Sequence, residues 1–334
     1  MPATYKDIQR LTGFSLATIS KYFNGKGIKP ATRKAIEKAV KKLNYYVNDF
    51  ARGLKSRRAM AIGLLIPDIN NLLCTNIMYR VSRIFQQHGY ACFIYESNSD
   101  KKAESEAMSF FIRKSVDGVI TIPFDANIEH LQAARSRNIP IVLLNRFKLP
   151  FKADTVLFDN YKAGKMTSEY LLSKGHKNVA IISGANKTHT MAVRQRGFLS
   201  TYSGEDKGYS THIIESNFSL ENSYQAVKDY FSVSRDCTAL FSMSYDLTLG
   251  ALTAMNELGI RFPRDISLIC FDNLQYTRII KPAITLVEQP LESFAQEAVR
   301  LLFKQLESES PQPYETVTLE PKFIEGESVA DLSR

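Results

Sequence analysis

Residues 13–28 read GFSLATISKYFNGKGI, and this stretch decides what the start of the chain is. Gly13 permits a tight turn, and the Ser15 hydroxyl stands where it can cap a helix. Thr18, Ile19 and Tyr22 fall on neighbouring turns, so that Ile19 faces an earlier helix while Leu16, Ala17, Ser20 and Lys21 lie outside. The earlier helix opens at Thr4, with Asp7 three residues on, and turns Ile8 and Leu11 inward. Two short helices crossed over a glycine turn make a helix-turn-helix. A helix that enters a major groove needs outer side chains that are short or able to reach base edges. Leu16 and Ala17 can touch thymine methyl groups, and Lys21 can reach a guanine or a phosphate. Ser15 belongs to the same face. Thr4, Thr18, Ser20 and Asn24 complete a DNA-facing set suited to phosphate contact. The pattern alone also allows a small helical bundle whose polar residues merely face water.

Downstream, Pro30 suits the first turn of a third helix, with Ala35, Ile36, Ala39, Val40 and Leu43 as its apolar stripe. Then comes YYVNDFARGLKSRR, residues 45–58. Asn48 can cap one short helix holding Phe50, Ala51 and Leu54. Such a segment is too short to be stable alone. Arg52, Lys55, Arg57 and Arg58 make DNA the partner that would hold it, and the segment also reads as a basic linker. Charge marks the same boundary. Residues 1–60 carry 14 lysines and arginines against 3 acids, whereas the other 274 residues carry 29 against 31. The excess positive charge therefore lies in the first sixth of the chain, which points to a polyanionic partner there.

From residue 60 the pattern changes. Short apolar runs at 61–66, 91–95, 118–122 and 139–144 alternate with helical periodicity at 77–88, 102–114 and 128–137. The alternation restarts with helices at 161–173 and 192–201 and strands at 179–182, 212–214, 237–241 and 267–271. A last helix spans 291–305, and the tail beyond residue 307 holds prolines and one more strand. This is repeated βα organisation in two halves, a hinged pair of α/β lobes. Ligands bind such folds where strand C-termini face the cleft. Asp68, Asn145, Arg146, Asp246 and Asp272 follow apolar runs, and Arg194 begins a helix. Carboxylates beside one arginine suit a hydroxyl-rich ligand.

The first 58 residues closely resemble the DNA-binding headpiece of the lactose/galactose repressor family of bacterial transcription regulators. GFSLATISKYFNG is similar to the family's G-V-S-x-x-T-V-S-R-x-x-N, with Lys21 where arginine is usual. NYYVNDFARGLKSRR resembles the family's hinge, with Val47 in place of proline. The resemblance continues through IGLLIPDINN, HKNVAIISG, VRQRGF, ALFSMSYDLTLGALTAMNELGIRFPRDISLICFDN and AITLVEQP, so it covers nearly the whole chain. It implies base reading by Leu16, Ala17 and Lys21, and a Leu54 wedge in the minor groove at the operator centre. It also implies a periplasmic-binding-protein-like sensor with Rossmann-type lobes that dimerises and binds a sugar or another metabolite. Asp68, Leu73, Cys74, Phe147, Arg194, Asp246 and Asp272 match effector-pocket positions. Leu72-Leu73-Cys74 stands where the family has Pro-Phe-Phe, so an aromatic platform is missing there, and Phe147 and Phe271 are candidates to replace it.

The expected organisation is a helix-turn-helix domain over residues 1–46, a hinge helix and linker over 47–59, and a two-lobed effector-binding and dimerisation domain over 60–334. The expected partners are a near-palindromic DNA operator, a small-molecule effector of carbohydrate type, and a second copy of the chain. The dimer surface is expected to include the helix carrying Ile77, Tyr79 and Val81. An effector-independent architectural DNA-binding protein is the alternative. No enzyme, cofactor or metal is expected. His88, His130, His176, His189 and His212 show no ligand spacing, and neither a phosphate loop nor a G-x-S-x-G motif occurs. His176 is expected at a helix-to-strand turn. Cysteines 74, 92, 237 and 270 are dispersed, as in a reducing compartment, and no uncharged span is long enough to cross a bilayer. The expected location is cytoplasmic.

Overall fold

The computed structural model describes residues 3–23, 27–46, 58–124, 128–145, 151–184, 189–203, 208–217, 219–272 and 279–333. The chain divides into two units, one within residues 1–59 and one within 60–334.

The first unit holds three helices: α1 (Tyr5–Thr12), α2 (Leu16–Phe23) and α3 (Pro30–Lys42). Gly13 takes a left-handed φ of 76° and ends α1. Only glycine adopts that conformation without a Cβ clash, so the chain turns at once into α2. The Ser15 hydroxyl accepts from the Thr18 N–H at 3.2 Å and caps α2. Ile8, Ile19, Ile36 and Ala39 form the small core. Tyr5, Phe23 and Tyr45 close one side, with the Tyr5 and Phe23 rings stacked at 5.1 Å. Two expected inward positions are corrected. Leu11 is 43% exposed, and Ala35 is exposed on α3. Ile8, Ile19, Ile36 and Ala39 already fill a core this small.

The second unit has two six-stranded sheets. The first runs β11-β5-β4-β3-β1-β2 and the second β12-β10-β9-β8-β6-β7. Their strands are β1 (Ala61–Ile66), β2 (Ala91–Glu96), β3 (Gly118–Thr121), β4 (Ile141–Leu144), β5 (Asp154–Phe158) and β11 (Thr316–Leu319), against β6 (Asn178–Gly184), β7 (Ser210–Ser216), β8 (Ala239–Ser242), β9 (Ser267–Phe271), β10 (Thr285–Glu288) and β12 (Lys322–Ile324). Every pairing is parallel except β10 with β12. Parallel strands covered on both faces read as continuous apolar runs, and β1, β3, β4, β8 and β9 are buried throughout.

The helices are α4 (Leu72–Gln87), α5 (Lys101–Arg113), α6 (Glu129–Arg135), α7 (Asn160–Ser173), α8 (His189–Tyr202), α9 (Leu220–Val233), α10 (Tyr245–Glu257) and α11 (Leu291–Leu306). Late in the chain, α11 returns to the first lobe. Its Phe303 ring lies 5.3 Å from Phe85 and 5.7 Å from Tyr90. The chain thus passes between lobes three times: after β5, after β10 and between β11 and β12.

Some elements depart from the sequence reading. The strand β5 is absent from it because β5 opens on an acid, Asp154, which reads as a turn. Here that carboxylate is wholly buried and paired, accepting from Gln305 Nε2 and from the Glu315 N–H, each at 2.8 Å. The tail supplies two strands, one per sheet, instead of one. Ile77 and Val81 are completely buried in their own lobe, so of the three residues expected at a dimer surface only Tyr79, 60% exposed, is available.

Candidate DNA-reading helix and inter-lobe cleft

On α2, Leu16, Ala17 and Lys21 are exposed and Ser15 sits exposed at its cap, while Thr18 and Ser20 are half-buried. Leu16 is 41% exposed although it is a leucine. Ile19, on the opposite face, is fully buried. The α1 start is built differently from simple capping. The Thr4 hydroxyl donates to Asp7 Oδ2 at 2.7 Å and the Thr4 N–H donates to the same oxygen at 2.8 Å. These bonds hold the Asp7 carboxyl below its usual range, the hydroxyl most and the N–H next. Lys6, Arg10, Lys29, Arg33, Lys34, Lys38, Lys41 and Lys42 are exposed around these helices. Asn24, Arg52, Leu54 and Lys55 lie outside the described residues, as does Phe147.

In the second unit a cleft of about 230 Å³ opens between the two sets of strand ends. The β1 end and the start of α4 supply Asp68, Leu73 and Cys74 to its wall, and the second lobe supplies Arg194, Asp246 and Asp272. Six of the seven sequence-expected effector residues therefore meet in one place. Leu73 and Cys74 arrive through the first turn of α4, whose cap is the Asn71 side chain accepting from the Cys74 N–H at 3.0 Å. Asp246 is in the first turn of α10, not at a strand end, behind the Ser244 cap. Phe271 is fully buried and offers no open ring to the cleft.

Arg194 is held by a helix crossing. A Cβ on Gly164 of α7 would lie 2.0 Å from the Arg194 carbonyl oxygen, and one on Gly197 of α8 would lie 2.1 Å from the Tyr161 carbonyl oxygen. The two helices touch backbone to backbone because neither residue has a side chain. That approach puts Asn160, the first residue of α7, beside Arg194. The Asn160 Oδ1 accepts from Arg194 Nε at 3.1 Å and Nη2 at 2.6 Å. The Met243 carbonyl accepts from Nη1. The guanidinium carbon stands 3.3 Å from the centre of the Phe271 ring, a cation–π contact shielded from water. Burial brings the Arg194 pKa down to about 10, opposed by the Asp272 charge, so the group stays cationic near neutrality.

Asp272 is 8% exposed, and burial raises its pKa, against the Arg194 charge, the Gln289 hydrogen bond and the Tyr245 N–H. Gln289 Nε2 donates to Asp272 Oδ1 at 2.7 Å. Asp246 is pushed up to about 6, first by burial and then by the charges of Asp272 and Asp68. Asp68 itself accepts from the Asn70 N–H at 2.7 Å, a local turn bond that leaves it on the wall. Asn160 and Gln289 were missed from sequence. Gln289 directly follows β10 and Asn160 stands two residues past β5, yet neither carries a charge that marks a site, and each acquires its role from packing between elements distant in the chain. Away from the cleft, buried His176 links Thr238 Oγ1 at 2.9 Å to the Ala330 carbonyl at 3.1 Å, just after α7, in the structural role expected for it.

A helix-turn-helix unit followed by two Rossmann-type lobes around a polar cleft defines a ligand-sensing, DNA-binding regulator. Residues 4–48 match the family description "Bacterial regulatory proteins, lacI family", and residues 168–329 match "Periplasmic binding protein-like domain". Catabolite control protein A of Priestia megaterium is 28% identical over 314 residues, covering 93% of this chain and 94% of that protein. A lac repressor dimer bound to operator and the anti-inducer ONPF shares the fold, with a TM-score of 0.85 at 20% identity over 99% of this chain and 100% of that one. A LacI family regulator from Enterococcus faecium with bound ribose has a TM-score of 0.73 at 24% identity, over 81% of this chain and 99% of that one. The chain belongs to the lacI family of bacterial regulatory proteins, and it is a sequence-specific DNA-binding regulator. Among the described residues no helix is long and apolar enough to cross a membrane.

Proposed function

We propose that the protein is a dimeric repressor whose headpiece, residues 1–46, reads operator half-sites and whose lobes, residues 60–334, take a sugar or sugar derivative. The carrying observation is that one cleft collects Asp68, Leu73 and Cys74 from one lobe and Arg194, Asp246 and Asp272 from the other. A ligand touching both walls favours one degree of lobe closure over another, and only that difference shifts an equilibrium. The lac repressor dimer on its operator and the ribose-bound E. faecium regulator supply the analogy for dimer, operator and sugar.

On α2, Leu16, Ala17 and Lys21 read bases, and Thr4, Ser15, Thr18, Ser20 and Asn24 hold the backbone in register. Residues 47–59 form the hinge, with Leu54 wedging the minor groove and Arg52 and Lys55 on phosphates. Two headpieces related by a two-fold axis require a near-palindromic site. Selecting bound duplexes from a random pool tests this directly. The expected result is enrichment of a near-palindrome with a flexible pyrimidine–purine centre. Uniform, strongly salt-dependent binding would overturn it in favour of an architectural role.

A further inference from the structure

The described lining of the cleft carries more negative than positive charge. Asp68, Asp246 and Asp272 line it, and among the described lining residues Arg194 is the one cation. Three of the five Arg194 N–H groups are occupied by Asn160 and the Met243 carbonyl, and its face lies on Phe271. A second observation is independent of the carboxylates. Gln289 is 3% exposed, and its Nε2 donates to Asp272, which fixes the amide orientation and turns Oε1 away as an acceptor. Gln289 lines the cleft, and its Oε1 is buried with no hydrogen-bond partner. The buried Asn145 Oδ1, on the opposite lobe, has none either. Buried acceptors left unpaired are costly, so the natural occupant is rich in N–H and O–H donors.

We infer that the effector is a hydroxylated amine, an amino sugar or imino sugar in its protonated form, and not a sugar phosphate or sugar acid. This rests on the small-molecule reading above and narrows it. An ammonium group placed among three carboxylates gains charge-assisted hydrogen bonds that a neutral hydroxyl cannot match. An added anion meets the same carboxylates, and Arg194, the one cation among the described lining residues, is already engaged. The mutual repulsion that lifts Asp246 is relieved by a cation and aggravated by an anion.

The test uses the full-length protein and a panel of matched probes at pH 7.5: neutral aldohexoses, their 2-amino and 1,5-imino forms, the N-acetylated 2-amino forms, and the 6-phosphates. Calorimetry is expected to show an amine binding at least about tenfold more tightly than its neutral parent, with N-acetylation removing the advantage and the phosphates failing to bind. At pH 6 amine binding should also release protons, seen by repeating it in buffers of different ionisation enthalpy. Asp246→Asn should bring amine and neutral parent towards parity. A neutral or phosphorylated sugar binding as tightly as its amine overturns the inference while leaving the effector reading in place, and so does a panel in which nothing binds. The effector reading itself falls on another result: no panel member, and no fraction of a small-molecule cell extract, changing affinity for the selected operator.

Discussion

Asn145 and Asp272 occupy the same position in the two lobes. Each follows the fourth strand of its lobe, β4 or β9, and each N–H donates at 2.8 Å to the neighbouring strand, to the Val156 and Val287 carbonyls respectively. Each has a left-handed φ, 55° for Asn145 and 72° for Asp272. Asn and Asp visit that region more readily than other residues with a Cβ. The duplicated turn therefore aims one polar side chain from each lobe at the cleft, with a type of residue that its backbone tolerates.

Asp272→Asn keeps that tolerance and removes the charge, whereas Asp272→Ala removes the partner of a buried Gln289 donor as well. Leaving a buried donor unpaired costs roughly 1–3 kcal/mol. In urea melts Asp272→Ala should lose about that much, and Asp272→Asn clearly less. Both should keep effector-free operator binding and lose the effector response. A normal dose response in either variant would remove Asp272 from the pocket.

The α7–α8 crossing gives a second expectation. Gly164→Ala puts a methyl group into the Arg194 carbonyl, so backbone must move. Overpacking of this kind costs on the order of 1–3 kcal/mol and sometimes more. The same shift separates Asn160 from Arg194, so effector affinity should fall along with the melting temperature. Gly27→Ala is the control, because a Cβ there meets nothing within 4 Å. Its melting temperature should change little. If Gly164→Ala binds effector as tightly as the parent chain, the crossing does not position Arg194.

Asp246 carries a pH dependence whose sign is fixed. Its folded pKa, about 6, lies above the ordinary aspartate value of 3.8, so between those values the native state holds more of this proton than the unfolded chain. Folding stability from this group is full below about pH 4 and is lost as pH rises through about 6. Asp246→Asn should therefore stabilise the protein at pH 7.5, by on the order of 1 kcal/mol after allowance for solvent screening, and by nothing near pH 4. Thermal melts of both proteins across that range check it. An equal difference at both ends would mean that titration of Asp246 is not the cause.

Much of the architecture is visible in local pattern. Gly13, the Ser15 cap and the buried Ile8, Ile19 and Ile36 are short-range features, and they carry the helix-turn-helix. The apolar runs of β1, β3, β4, β8 and β9 are visible because both faces of each strand are covered. The failures are long-range. Asp154 is an acid inside a sheet, legible as strand only once Gln305 and the Glu315 N–H are seen to bind it. In the cleft, the carboxylates stand out because they follow or neighbour apolar strands. Gln289 and Asn160 also sit just past strands, β10 and β5, but as neutral amides they carry no charge to mark them; a strand pairing places one and a glycine-mediated helix crossing places the other.

On α2 two apolar residues should separate by consequence. Leu16 is 41% exposed and Ile19 is fully buried against Ile8 and Ile36. Ile19→Ala removes buried methyl groups from a core of four residues, at a cost of about 2–5 kcal/mol, and should unfold the headpiece and abolish all DNA binding. Leu16→Ala has little core to disturb. Its melting temperature should stay near that of the parent chain, while discrimination at one or two operator positions falls by roughly 1–3 kcal/mol. Binding to random DNA, carried by the surrounding lysines and arginines, should be unchanged at any one salt concentration. Quantitative binding to the selected operator and to single-base variants reads this out. Equal losses of specific and non-specific binding in Leu16→Ala would show that Leu16 supports the headpiece and does not read bases.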